Sequence, residues 1–129
     1  MMQSIAIDRL VATRSCSFTQ NDFNKAQATR LLFPKVVLAD TPATATGATA
    51  IQENIKHLHK SLWKEDVPVS DAEVQRTYKL FSDVWADRVN ASARPVNCAY
   101  NNTNDPNYTG RSWAAVVAYM LGDPKFLYE

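Results

Sequence analysis

The sequence has few of the residues from which common active sites are built. Its 129 residues include three glycines, two histidines and two cysteines. So few glycines argue against a phosphate-cradling loop, and no dinucleotide-binding, nucleophile-elbow or zinc-protease motif occurs. Cys16 and Cys98 lie too far apart for a C-x-x-C zinc or redox motif. We therefore expect no catalytic motif, no bound metal and no cofactor.

The sequence also lacks an excess of charge of one sign and any long apolar run. Its 14 basic and 13 acidic side chains leave a net charge of +1 and are interspersed, whereas nucleic-acid binders usually have a clustered basic face. No run approaches the roughly 18 apolar residues of a membrane span, and the N-terminus has no basic leader followed by an apolar segment. We expect a soluble protein, cytoplasmic by default, that binds neither nucleic acid nor a membrane.

The two cysteines allow two interpretations. In a reducing compartment Cys16 and Cys98 would be unpaired thiols. In an exported protein they could pair, and closing so long a loop would stabilise the fold by roughly 4 kcal/mol. The sequence leaves both interpretations open.

The stretch from Val67 to Asn90 is predicted to form a long amphipathic helix around which the rest of the chain is organised. Ser70 followed by Glu73 is typical of a capping box, with Ser70 as the N-cap. Beyond the cap, apolar residues recur at steps of three and four: Val74, Tyr78, Phe81, Trp85 and Val89. We expect Phe81 and Trp85 to be buried against Leu58 and Leu62 of the preceding helix.

Three other segments have helical periodicity. They are a short helix that begins near Thr19 and ends before Pro34, a helix opened by a capping box at Thr49 and Gln52 that ends near Lys64, and a helix from Trp113 to Gly122. Residues 40–48 between the first two are rich in Thr and Ala, and we predict a linker there. Residues 91–110 are rich in Asn and predict a long polar loop.

These elements predict a mainly α fold, a small helical bundle of three to five helices with a long polar loop. Strand-forming patterns are weak: the β-prone run 36–38 favours one lone strand, and the alternation around Ile5 and Ile7 fits a short strand or a helical turn. A length of 129 residues favours a single domain, 1–129. We expect residues 1–48 to form an irregular part with one short helix and residues 49–129 to form the helical core.

The sequence offers candidate binding residues but no catalytic set. His57 and His59 would point about 200° apart on a helix, so they cannot jointly ligate one metal ion. Together with the aromatic residues Trp63, Tyr78 and Trp85 they are candidates for lining a ligand pocket between helices. The leading hypothesis is a non-catalytic binding or protein-interaction module. The alternative is a small enzyme with a site between the helices and the 91–110 loop, in which either histidine acts as acid or base.

The last residues of the chain form a second apolar cluster. Phe126, Leu127 and Tyr128 follow the predicted last helix, and little sequence remains to cover them. Exposed apolar patches of this kind mark interfaces. The cluster therefore predicts either a homodimer contact or a junction with a neighbouring domain.

Two stretches resemble a known family. Residues 68–81, which begin Pro-Val-Ser-Asp-Ala-Glu-Val, and residues 122–128, Gly-Asp-Pro-Lys-Phe-Leu-Tyr, are similar to helical domains of unknown function in large exported planctomycete and myxobacterial proteins. The chain departs from the family pattern at Gly122-Asp123, before Pro124, and at Glu129, where arginine is common. The resemblance implies export and a neighbouring cytochrome c-like domain. It transfers no catalytic residue, and the chain itself has no C-x-x-C-H haem motif.

Overall fold

The computed structural model describes residues 14–88 and 100–122, which form a helical bundle. Its elements are α1 (residues 14–23 of the described part), a one-turn 3₁₀ helix (Gln27–Thr29), α2 (Ala45–Trp63), α3 (Ala72–Ala86) and α4 (Thr109–Gly122). No strand occurs within these two ranges, so the predicted mainly α fold is confirmed. The alternating residues around Ile5 lie outside the described residues.

The core is built around Trp113, near the middle of α4. Its ring lies 4.7 Å from that of Phe81 and 5.3 Å from that of Phe33, and Phe33 in turn stacks on Phe23 at 4.4 Å, all between ring centroids. These four buried rings join α1, the irregular segment 24–44, α3 and α4. The face of α2 that completes the core carries the fully buried residues Ile51, Ile55 and Leu58. Helix α3 packs against both α2 and α4.

The first helix lies earlier in the chain than the sequence predicted. The expectation of a helix over 19–33 is wrong, because α1 ends at Phe23. Thr19 lies inside this helix, where its hydroxyl donates to a backbone carbonyl one turn earlier. The carboxylate of Asp22 then accepts hydrogen bonds from the backbone N–H groups of residues 31–33, at 2.9 to 3.1 Å. These bonds hold residues 31–33 beside the end of α1, in a geometry that a continuous helix could not reach.

The β-prone run 36–38 forms no strand, because side chains satisfy its backbone groups. Arg30 donates from Nη1 to the Val36 carbonyl at 2.9 Å, and Asp40 accepts from the Val37 N–H at 2.9 Å. The hydroxyl of Thr109 donates to the Leu38 carbonyl. In a β-sheet these backbone groups would form hydrogen bonds with a neighbouring strand. Here side chains form those hydrogen bonds instead.

Helix α2 begins five residues earlier than the capping box at Thr49 and Gln52 predicted. Its N-cap is Thr44, whose hydroxyl accepts from the Gly47 N–H at 3.0 Å, whereas Thr49 donates to a carbonyl within the helix. Gly47 is buried so closely against the backbone of Thr41 that a Cβ atom would collide there. Part of the predicted linker is therefore a packed turn of helix.

Helix α3 begins one residue later than predicted. Asp71, not Ser70, is the N-cap, and its carboxylate accepts from the Glu73 N–H at 2.9 Å. Ser70 is exposed in the preceding turn, so the prediction of Ser70 as the cap is wrong. Serine and aspartate are about equally good caps. Local sequence preference therefore cannot decide between these two neighbouring residues.

Candidate functional site

A depression of about 270 Å³ lies between α2 and the irregular segment before it. Its lining residues are mostly charged: Lys35, Glu53, Lys56, His57, Lys60 and Asp66. We call it the basic depression, because three lysines face two carboxylates. Four of the six residues come from one face of α2, at steps of three and four, as neighbours on a helix surface must.

Two polar side chains of α2 fix the other wall of the basic depression. Asn54 is fully buried; its Oδ1 accepts from the Lys35 N–H and its Nδ2 donates to the Leu32 carbonyl, each at 3.0 Å. His57 Nε2 lies 2.7 Å from the Leu31 carbonyl oxygen. A carbonyl oxygen only accepts, so His57 must donate from Nε2. The segment 31–35 is thereby held along α2, which places Lys35 beside the helix lysines.

An apolar groove of about 280 Å³ lies between α1 and the same segment. It is lined by Phe18, Asn21, Asp22, Lys25, Leu31 and Leu32. Phe18 is 44% exposed and Leu31 is 71% exposed. Among the described residues, one other large hydrophobic side chain, Val37, is exposed to a comparable degree, at 37%. The groove therefore contains the two most exposed large apolar side chains of the described chain.

His59 lies in a different environment from His57. It is fully buried between α2 and α3, and its ring packs edge-on against Trp63 with 4.8 Å between centroids. Its Nε2 lies 3.1 Å from Thr77 Oγ1, and that hydroxyl donates to the Glu73 carbonyl, so His59 must be the donor. The other nitrogen, Nδ1, faces Glu65 Oε1 at 3.8 Å. Burial lowers the pKa of His59 below its ordinary value of 6.5, against opposing effects of Glu65, Glu73 and Asp71.

We expect the buried imidazole of His59 to make the fold less stable in acid. Its pKa is lowered in the folded state, so between pH 6.5 and that lower value the unfolded chain binds more protons. Stability should thus be unaffected by this group above pH 6.5 and fall as the pH decreases below it. Urea unfolding of His59→Gln from pH 8 to pH 5 should show a weaker decline than the wild type. His57→Gln is the matched control and should retain the wild-type decline; the reverse pattern would contradict the assignment.

The other predicted pocket residues are dispersed. Trp63 is buried and donates from Nε1 to the Met120 carbonyl at 3.0 Å, which ties α2 to α4. Tyr78 is partly buried against the core, and Trp85 is partly buried and donates to the Asn107 carbonyl at 3.0 Å. The structure thus brings His59 and Trp63 together and separates them from His57. Of the predicted set, His57 alone lines the basic depression.

The sequence did not single out the residues that line the two concave surfaces. Phe18 and Leu31 gave no signal, because their exposure depends on where the segment 24–44 folds. Lys56 and Lys60 could have been noticed as an i, i+4 pair of like charges beside His57. Lys35 could not, because Asn54 brings it to α2 from 19 positions away in the sequence.

Metal sites and membrane spans are not found in the described ranges. No group of three metal-ligating side chains gathers within residues 14–88 and 100–122. No helix in the same part of the chain is long and apolar enough to cross a membrane. The predicted interface residues Phe126, Leu127 and Tyr128 lie outside the described residues, so that interface stays a prediction.

Cys16 is buried and disulfide-bonded in the structure. The sequence contains one other cysteine, Cys98, which lies outside the described residues. Of the two interpretations of the cysteines, the bonded state of Cys16 favours the oxidised one.

Comparison with known proteins gives no relative. No protein-family model matches the chain, and neither a curated protein nor a solved structure is found to be similar. The function must therefore be inferred from the basic depression and the apolar groove.

Proposed function

We propose that this chain is a protein-interaction module and that the apolar groove is its docking surface. The observation that carries the proposal is the exposure of Phe18 and Leu31 on the two sides of one concavity. Single exposed apolar residues are common on protein surfaces. Two large ones that border the same groove are typical of a binding site, because covering them removes apolar surface from water.

The charges around the groove indicate the chemistry of the partner. The Asp22 carboxylate already accepts three backbone hydrogen bonds, so it is committed to the fold. Lys25 is exposed, and its ammonium group forms no ion pair within the described ranges. The groove therefore suits a segment of another protein that inserts one large apolar side chain and carries a carboxylate beside it to pair with Lys25.

A peptide library displayed on phage can test this function. Peptides selected on the wild-type protein should be enriched in an aromatic or leucine residue next to Asp or Glu. Leu31→Asp should weaken their binding, measured by fluorescence polarisation, by about tenfold or more, since it puts a charge in the contact. Val37→Asp is the matched control, an exposed apolar residue outside the groove, and should bind as the wild type does.

Two results would reject this docking surface. Selected peptides that bind equally to Leu31→Asp and Val37→Asp would show that the groove is not their site. A wild-type dimer that Leu31→Asp converts to a monomer in sedimentation experiments would show that a second copy of the chain occupies the groove instead.

The enzyme alternative has weaker support. Both histidines use Nε2 to hold the fold, His57 on the Leu31 carbonyl and His59 on Thr77. His59 is also fully buried. An acid or base needs access to a substrate proton. The apolar groove has no histidine among its lining residues, and its apolar character supports binding rather than proton transfer.

We also infer that the chain folds in an oxidising compartment, as export of the resembling family would imply. The disulfide at Cys16 supports this inference, because such bonds persist mainly outside the reducing cytosol. Protein purified without reductant from its native host should not react with iodoacetamide after denaturation. Alkylation of Cys16 in that experiment, read by mass spectrometry, would contradict the inference.

A further inference from the structure

We propose that the basic depression binds a small, multiply charged oxyanion such as a phosphate group. Three lysines line it, Lys35, Lys56 and Lys60. This site is separate from the apolar groove, and the proposal does not depend on the function proposed above.

The charged groups of the depression do not take part in the interactions that stabilise the described fold. No ion pair or hydrogen bond involves the charged groups of its three lysines, Glu53 or Asp66 within the part of the chain that the structure describes. Elsewhere on the surface the fold does pair such groups, as in Lys79 with Asp83 at 2.7 Å. The lysines of the depression are therefore free to meet a ligand.

The two lysines of the depression on α2 repel each other. Lys56 and Lys60 are four positions apart, a spacing at which like charges destabilise a helix by about 0.2–0.5 kcal/mol. Lys35 adds a third positive charge from the facing segment. A bound anion with more than one negative charge would relieve this repulsion, and a compact anion fits a volume of about 270 Å³.

The backbone on both sides of the depression is held in place before any ligand binds. Lys35 is attached through its backbone N–H to the fully buried Asn54, and the Leu31 carbonyl is held by His57. A ligand would therefore not have to order the backbone on either side, and preorganisation of this kind increases affinity. Only the ends of the lysine side chains remain to be ordered.

The two carboxylates restrict the kind of anion. Glu53 and Asp66 reduce the formal charge of the three lysines from +3 to +1. So modest an excess of charge, in a concave site, suits one compact anion better than an extended polyanion, which requires a continuous basic surface.

The experiment is a titration of the full chain with inorganic pyrophosphate by isothermal calorimetry, at constant ionic strength. We expect saturable binding at one site. Lys56→Gln/Lys60→Gln should weaken it about five- to thirtyfold, because two partly exposed charge contacts are lost. Arg76→Gln/Lys79→Gln removes the same charge from the exposed face of α3 and should change the dissociation constant less than twofold. Leu31→Asp alters the apolar groove and leaves the three lysines in place, so its dissociation constant shows whether pyrophosphate binding depends on the groove.

Two results would overturn the proposal. One is the absence of saturable binding by the wild type at millimolar pyrophosphate, and the other is equal weakening in the two double variants. Circular dichroism of each variant confirms that the fold is retained. Because these residues are exposed or partly exposed, the substitutions do not enter the core.

Discussion

Replacement of Phe81 by alanine is expected to lower the free energy of unfolding by about 3–5 kcal/mol. Phe81 is fully buried in α3, and its ring lies 4.7 Å from the ring of Trp113 on α4. The substitution removes a large apolar surface and leaves a cavity, which the ring of Trp113, itself packed against Phe33, is poorly placed to fill. Urea unfolding followed by far-ultraviolet circular dichroism measures the loss.

Trp85→Ala provides the comparison, because the sequence predicted that both aromatic side chains are buried. The side chain of Trp85 is only partly buried; its indole donates to the Asn107 carbonyl at 3.0 Å, and the guanidinium of Arg88 lies 3.8 Å from the ring centroid. We expect a loss of about 1–2 kcal/mol from one hydrogen bond and a partial contact. A loss at Trp85 equal to that at Phe81 would contradict the assigned burial of the two rings.

The buried faces of the helices could be predicted because buried residues recur with the period of the helix. That period can be read from a short stretch of sequence. Ile51, Ile55 and Leu58 recur at steps of four and three, and all three are fully buried on α2. The same spacing identified Val74 and Phe81 on α3. Such patterns depend only on the geometry of one helix, so the mainly α fold could be derived without knowledge of tertiary contacts.

The irregular segment 24–44 could not be predicted, because its conformation is fixed by polar contacts between residues far apart in the sequence. Asp22 binds the backbone nine to eleven positions later. Arg30 donates to the carbonyls of Phe23 and Val36. No local pattern shows which N–H group a carboxylate will choose. Local propensity therefore predicted too long a first helix and a strand at 36–38. In both places hydrogen bonds from side chains determine the backbone conformation.

The candidate sites share this dependence on the irregular segment. Leu31 and Leu32 line the apolar groove, Lys35 lines the basic depression, and both sites would be lost if residues 31–35 detached from Asp22 and Asn54. The sequence identified one member, His57, from its residue type alone. The exposure of Leu31 and the position of Lys35 follow from tertiary hydrogen bonds, so the sites became visible only with the fold.

Asp105→Ala is expected to cost about 3–5 kcal/mol, the usual cost of removing one partner from a buried ion pair. Asp105 is fully buried and precedes α4. Its carboxylate accepts from the backbone N–H groups of Gly110 and Arg111, at 2.9 and 3.0 Å, and from Arg111 Nε at 3.1 Å. The substitution leaves two backbone N–H groups at the start of the helix and the Nε–H of Arg111 without their acceptor, and it removes the countercharge of the guanidinium. Thermal and urea unfolding at neutral pH measure the effect.

Two further variants separate the buried pair from a general effect of lost charge. Asp83→Ala removes an exposed carboxylate that pairs with Lys79, and it should change stability by no more than about 0.5 kcal/mol. Asp105→Ala/Arg111→Met should be more stable than Asp105→Ala alone, because the guanidinium of Arg111, whose side chain is only 14% exposed, would no longer be left without a countercharge. A double variant as unstable as the single one would show that the backbone hydrogen bonds at the start of α4, and not the ion pair, account for the contribution of Asp105.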